Sequence, residues 1–207
     1  MKKVLVVKAN DRPAPLAVST TMFETFMEEA RQKEEWDVTV YDVFERDIPY
    51  FGQTYFDALE RLENKEPLNE KEQSLIDHVN EALDLFLGAD LIVFAFPMWN
   101  LTVPAPLHAF MDYIYQAGKT FKYTEQGPVG LVTEPTVVLL NARGGVYSIP
   151  ETEHMDMGIN FIRLSMQFFG VTDIREVIIE GHNAMSDRRD EIIATGLDEV
   201  RALAREL

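Results

Sequence analysis

Two short apolar runs, Val4-Leu5-Val6-Val7 and Leu91-Ile92-Val93-Phe94-Ala95-Phe96, constrain this chain more than any other feature. Neither alternates with polar residues, so each reads as a strand buried on both faces, which is the environment of a parallel sheet enclosed between helices. The residues between and beyond them continue the alternation. Residues 2–7 form the first strand; the prolines at 13 and 15 keep residues 9–15 out of a helix; and Ser19 then opens the series Met22, Phe23, Phe26, Met27, Ala30 at helical spacing. Residues 36–43 alternate apolar and polar and suit a strand nearer an edge, while 44–70, with Pro49, Gly52 and Pro67, reads as a long irregular excursion. A helix over 71–87 carries Leu75, Val79, Ala82 or Leu83, and Phe86 on one face, ends at Gly88, and precedes the strand at 91–96, which Pro97 stops. Further along come a helix over 104–116, a Gly- and aromatic-rich stretch over 118–133 and a strand over 136–140. An Arg143-Gly144-Gly145 loop, a helix near 155–169, a strand over 174–180 and a helix over 187–205 follow. The expectation is a single α/β domain over 1–207, five strands and five helices, wound as a doubly wound parallel sheet.

Composition narrows what such a sheet can serve. Nineteen Lys and Arg against 35 Asp and Glu give a net charge of −16, a field that repels nucleic acid and anionic membranes. No cysteine is present, which removes disulfides, Fe–S ligands, thiolate nucleophiles and Cys-type zinc sites, and fits a reducing compartment. The apolar run before Lys8 is too short for a signal-peptide core or a membrane span, so a cytoplasmic protein is expected.

In a doubly wound sheet of strand order 2-1-3-4-5, ligands gather at the carboxyl ends of the strands near the switch in order, where three loops meet. The first, 9–19, ends at a helix start whose free N–H groups and Ser19 hydroxyl suit a phosphate, with Arg12 adding charge, although Ser is also the commonest kind of helix cap. It matches neither GxGxxG nor GxxxxGK[ST]. The second, Pro97-Met98-Trp99-Asn100-Leu101, offers a planar aromatic and a carboxamide to a flat heterocycle. The third, Asn141-Ala142-Arg143-Gly144-Gly145-Val146-Tyr147, lets backbone approach a ligand closely and brings amide donors and one cation. Trp99 also suits a core or interface cap, and Gly144-Gly145 a plain turn. There is no GxSxG elbow and no HExxH, and the four histidines (78, 108, 154, 182) are widely spaced. Phe94-Ala95-Phe96-Pro97 stands where a phospho-receiver needs an aspartate. Together the three loops describe a flavin mononucleotide site.

The segments KVLVVKAN, Ala17-Val18-Ser19, FPMWN (96–100), LHAFMDY (107–113), AGKTFKYTEQGPVG (117–130), NARGGVYS (141–148) and IEGHN (179–183) carry a resemblance over essentially the whole chain. The sequence resembles the FMN-dependent NADH-azoreductases, also described as NADH:quinone oxidoreductases, of flavodoxin-like fold. The resemblance implies a five-stranded sheet of order 2-1-3-4-5 with helices on both faces. It also implies non-covalent FMN, one per subunit, with its phosphate near Asn10, Ala17, Val18 and Ser19. Its ring would be lined by Met98, Trp99, Asn100 and Leu101 and by Ala142, Arg143, Gly144 and Gly145. Members often have serine where Asn10, Ala17 and Val18 stand here, and tyrosine at Trp99. The implied reaction is hydride transfer from NADH to the flavin, then reduction of a quinone or azo compound in the same place. It would take place in a homodimer with its flavin sites at the interface. Phe121, Tyr147 and Phe161 are expected to face substrate, and no side-chain acid or base and no metal is nominated. The competing expectation is a flavodoxin-like FMN electron carrier that does not oxidise NADH directly, for which strong acidity is suited.

Overall fold

A computed structural model describes residues 1–207. Its main sheet contains β1 (Lys2–Lys8), β2 (Trp36–Asp42), β3 (Leu91–Pro97), β6 (Thr136–Arg143) and β7 (Ile174–Glu180), all parallel, in the order β2-β1-β3-β6-β7. Two short strands, β4 (Phe121–Thr124) and β5 (Gly127–Gly130), form a separate antiparallel hairpin. With the hairpin set aside the order is the expected 2-1-3-4-5.

The helices are α1 (Val18–Ala30), α2 (Gln53–Glu63), α3 (Glu70–Leu87), α4 (Ala105–Ile114), α5 (Met157–Phe169) and α6 (Arg189–Glu206). They cover both faces, and the two-residue period of the strands decides which side chain meets which layer. Leu5, Val7, Ile92, Phe94, Phe96, Val137 and Leu139 pack with α3, α4 and α5. Val4, Val6, Leu91, Val93, Ala95, Val138 and Leu140 pack with Met22 and Phe26 of α1 and with Val200 and Ala204 of α6. Every residue of β3 is buried, as its unbroken apolar run requires, and each fully buried Val, Ile or Phe contributes roughly 1.5–3 kcal/mol.

Three expectations are corrected. The excursion over 44–70 is not irregular throughout: α2 occupies Gln53–Glu63, seating only Tyr55 and Ala58 in the core while Phe56, Leu59 and Leu62 stay exposed. The 118–133 stretch contains the hairpin, which is sewn to the end of α5 by the Val132 amide donating to the Phe169 carbonyl at 2.8 Å. Gly130 lies so close there that a Cβ would stand 2.2 Å from the Phe169 carbonyl carbon. Finally, the loop expected at Arg143 begins one residue later, because β6 runs through Arg143, which pairs in register with Glu180 of β7.

Candidate functional site

At the carboxyl edge of the sheet the residues after β1, β3, β6 and β7 enclose a cavity of about 370 Å³. Its first wall is the start of α1. The N-cap residue is Ala17, which has no side chain to offer, and the first amide to find a helical carbonyl is that of Thr21, donating to Ala17 at 3.0 Å. The three amides before it, Val18 to Thr20, therefore have no capping partner in a segment that is itself buried, and the helix dipole adds partial positive charge there. Ser19 does not cap the helix as expected. Its hydroxyl oxygen instead accepts from Asn10 Nδ2 at 2.9 Å, leaving its proton free for a ligand. Asn10 Oδ1 in turn accepts the Arg12 amide at 3.0 Å, and the Thr20 hydroxyl donates to the Arg12 carbonyl at 2.8 Å, so side chains hold the loop in shape. The free amides and the positive dipole end together favour an anion here.

The second wall is Trp99. It sits on a two-residue turn closed by Trp99 N–H to Thr102 at 2.9 Å and Thr102 N–H to Trp99 at 3.1 Å. The turn residues Asn100 and Leu101 both have positive φ, 52° and 70°. A leucine in that region is strained, and such strain persists only where the surroundings enforce it. Here the Met157 amide, at the start of α5, donates to the Leu101 carbonyl at 3.1 Å. The half-buried Trp99 ring meets the Phe44 ring edge-on at 6.0 Å. It separates the first cavity from a second, of about 580 Å³, lined by Phe44, Tyr50, Asn100, Pro104, His108 and Asp112 among others. Burial pushes the Asp112 carboxyl up, against the pull of His108.

The third wall is Ala142 and Gly144. Gly144 touches the Asn183 side chain so closely that a Cβ would lie 2.4 Å from its Nδ2, and the Asn183 amide donates to the Gly144 carbonyl at 3.1 Å. The β7 exit thereby joins the site, bringing His182, Asn183 and Arg189. His182 is 6% exposed and its Nδ1 has no partner. Burial pushes its pKa down, the Arg189 charge adds to that, and the Ile179 carbonyl opposes it, so the ring is neutral at pH 7. Three buried side-chain polar atoms lack partners, namely Tyr41 Oη, Asn141 Oδ1 and His182 Nδ1. All belong to the carboxyl-terminal parts of strands or the residues just after them. Unpaired buried polar groups call for an explanation, and of the three only His182 lines the cavity, where a ligand would supply its partner.

Of the expected residues, Asn10, Ala17, Val18, Ser19, Met98, Trp99, Ala142 and Gly144 come together in the first cavity, joined by Arg12. Asn100 lines the second. Gly145 lies under the Tyr147 ring, and its carbonyl accepts from Gly181 at 3.0 Å. The Arg143 guanidinium is turned inward, with only 2% of the side chain exposed. It is clasped by Asp156 and, at 2.8–2.9 Å, by Glu180. Glu180 also receives the Tyr147 amide at 2.8 Å and the Ser148 hydroxyl. Burial alone would raise the Glu180 carboxyl, but Ser148, the Tyr147 amide and Arg143 together hold it below the usual range. Asp156 caps α5 through the Ile159 amide. These contacts make Arg143 a strut beneath the glycine loop. Phe121 is buried against Phe168 at 4.8 Å, Phe161 stacks on His108 at 4.6 Å, and Tyr147 lies 5.6 Å from the Arg143 guanidinium; none of them lines the first cavity. His182, Asn183 and Arg189 are absent from the site as read from sequence; His182 and Asn183 fall in the IEGHN segment, but nothing in it places them at this cavity.

A family model described as flavodoxin-like fold matches residues 2–204. An FMN-dependent NADH:quinone oxidoreductase of Brevibacillus brevis is 45% identical over 205 residues, covering 99% of each chain. The azoreductase of Bacillus anthracis str. Sterne superposes with a TM-score of 0.93 at 41% identity over the full length of both chains. An FMN-dependent NADH-azoreductase from Bacillus anthracis str. Ames Ancestor, solved in complex with FMN, gives 0.91 at 25% identity over 100% of this chain and 99% of that one.

Proposed function

This chain belongs to the flavodoxin-like family, and from that premise we propose that it is an FMN-dependent oxidoreductase that oxidises NADH and reduces quinones and aromatic azo compounds. The observation that carries the reading is the convergence, in one cavity, of an uncapped buried helix start, an aromatic wall and a close-approach glycine. These are the parts a phosphate and a flat ring require.

FMN, when bound here, would supply the redox chemistry that links NADH oxidation to reduction of the acceptor. The chain does the rest. The amides of Val18, Ser19 and Thr20 and the Ser19 hydroxyl would hold the FMN phosphate, with Asn10 fixing Ser19. Met98, Trp99, Ala142 and Gly144, which share the cavity, would hold the ring, with Gly145 next in the loop. Asn100 and Leu101 shape the turn that aims Trp99, and Arg143 fixes the glycine loop from below. No side chain in the cavity is needed as an acid or base. The wide second cavity beside Trp99 gives flat donors and acceptors a common place, which supports a ping-pong sequence at one shared site. Phe161 borders it through His108, whereas Tyr147, beside Arg143, and Phe121, packed on Phe168, line neither cavity.

A homodimer with both sites at its interface fits the exposed apolar residues Tyr50, which lines the second cavity, Ile149 after the glycine loop and Met157 at the start of α5. No helix is long and apolar enough to cross a membrane, and a cytoplasmic setting fits the absence of cysteine. One domain over 1–207 holds the whole site.

The test is the visible spectrum of the FMN-loaded protein, recorded anaerobically before and after NADH. Bleaching within seconds, reversed by a soluble quinone, is the expected result. A flavin that binds but stays yellow would instead identify an electron carrier, a role the net charge of −16 would suit. A monomeric mass by light scattering at micromolar concentration would contradict the dimer.

A further inference from the structure

Of the eleven arginines in the sequence, eight stand in ion pairs with carboxylates. The three that do not are Arg12, Arg31 and Arg189, and two of these, Arg12 and Arg189, line the cavity at the start of α1. In a chain of net charge −16, two guanidiniums without carboxylates in one hollow mark a place for an anion. Arg189 is tethered rather than loose, donating to Asn183 Oδ1 at 2.5 Å and to the His182 carbonyl at 3.3 Å. His182 lines the same cavity, more than nine-tenths buried, its Nδ1 without a partner.

We propose that His182, with Arg189 and Arg12, forms the wall facing the α1 amides, that it positions the ligand's phosphate, and that it takes up one proton from solvent as the dianion binds. This rests on the FMN reading above. The balance is simple: neutral imidazole and a solvent proton become imidazolium, while the phosphate stays doubly charged. His182, Arg12 and Arg189 line the same cavity as Val18 and Ser19 at the start of α1. Without the anion, burial and then Arg189 keep the ring neutral. Arg189 from the start of α6 and Arg12 from the first loop are the charged residues sharing its cavity. Glu180, two residues before it, is engaged by Arg143, Tyr147 and Ser148. A dianion entering this group reverses the balance and favours imidazolium. Between the lowered pKa of the free protein and the raised one of the complex, affinity must then rise as pH falls, by up to tenfold per pH unit.

The experiment is calorimetric titration of the apoprotein with FMN and with riboflavin, in buffers of different ionisation enthalpy between pH 6 and 8, for the wild type and His182→Asn. The wild type is expected to take up to one proton with FMN and none with riboflavin. His182→Asn should bind FMN more weakly, with the uptake abolished and a flattened pH profile. Uptake that persists undiminished in His182→Asn would put the proton on the phosphate and overturn the proposal, as would FMN binding by the wild type without uptake. Should His182→Asn fail to fold, Arg189→Gln must move the window of uptake to higher pH, and an unmoved window refutes the coupling. Failure of the wild type to bind either flavin would instead strike the FMN reading itself, and the proposal with it.

Discussion

Replacing Val18 by proline removes one backbone amide from the start of α1 and, by the local geometry, little else. Ala17 is extended, with φ −144° and ψ 111°, which is the backbone a following proline demands. Val18 is the first helical residue, where proline is favoured and where its N–H has no helical acceptor in any case. The Val18 side chain is 9% exposed and packs with the α1–α6 layer, and proline keeps most of that contact, so stability should move by less than about 1.5 kcal/mol. A hydrogen bond to a charged acceptor contributes about 1.5–3 kcal/mol. At 1.4 kcal/mol per factor of ten, losing it weakens FMN binding roughly 10- to 150-fold. Riboflavin, which has no phosphate, should bind Val18→Pro as it binds the wild type. Fluorescence titration of both flavins measures this directly. An FMN affinity within about twofold of wild type, in a variant of unchanged melting temperature, would refute the placement of the phosphate on these amides.

Other perturbations separate support from contact. Arg143→Met leaves Asp156 and Glu180 without their shared cation, and breaking a buried pair costs about 3–5 kcal/mol. At about 2–4 °C per kcal/mol for a chain of this size, the melting temperature should fall by roughly 6–20 °C; an unchanged melting temperature with weakened FMN binding would return Arg143 to the ligand. Trp99→Ala should weaken FMN by roughly tenfold or more, on the scale of losing one stacked aromatic, while circular dichroism stays native because the residue sits on a turn. Intact flavin occupancy and turnover in that variant would remove Trp99 from the site. Because the folded Glu180 carboxyl lies below its ordinary range, its contribution to stability is present above that range and lost as pH falls through the lowered value. Glu180→Gln should therefore flatten the acid limb of urea midpoint against pH, and an unaltered limb would dissociate Glu180 from acid unfolding.

The sheet was legible because β1 and β3 announce burial on both faces by residue type alone, and α3 and α5 by their spacing. The helix α2 was not, since it buries only Tyr55 and Ala58 and leaves three large apolar residues outside; no clean stripe marks it. The hairpin escaped because strands of four residues carry too little pattern. In the site, the loops after β1, β3 and β6 follow from strand order. His182 and Arg189 do not, for they arrive through one long-range contact, Asn183 on Gly144, that no local signal encodes. The inward turn of Arg143 was hidden for the same reason: its partners stand 13 and 37 residues away.

The seam between the hairpin and α5 divides this stretch of chain into what can drift in sequence and what cannot. At Gly130 any side chain would meet the backbone of Phe169 and Gly170 at 2.2–2.3 Å, and Gly170 itself needs its φ of +103°. A backbone cannot yield as a side chain does, so substitutions at either position would prise the hairpin from the helix. Five residues away, around Glu125 and Gln126, the chain is exposed and its neighbour Tyr123 is 74% exposed. A peptide tag inserted between Glu125 and Gln126 would extend into solvent, whereas the same tag at the glycine seam would open the floor beneath Phe121 and Phe168.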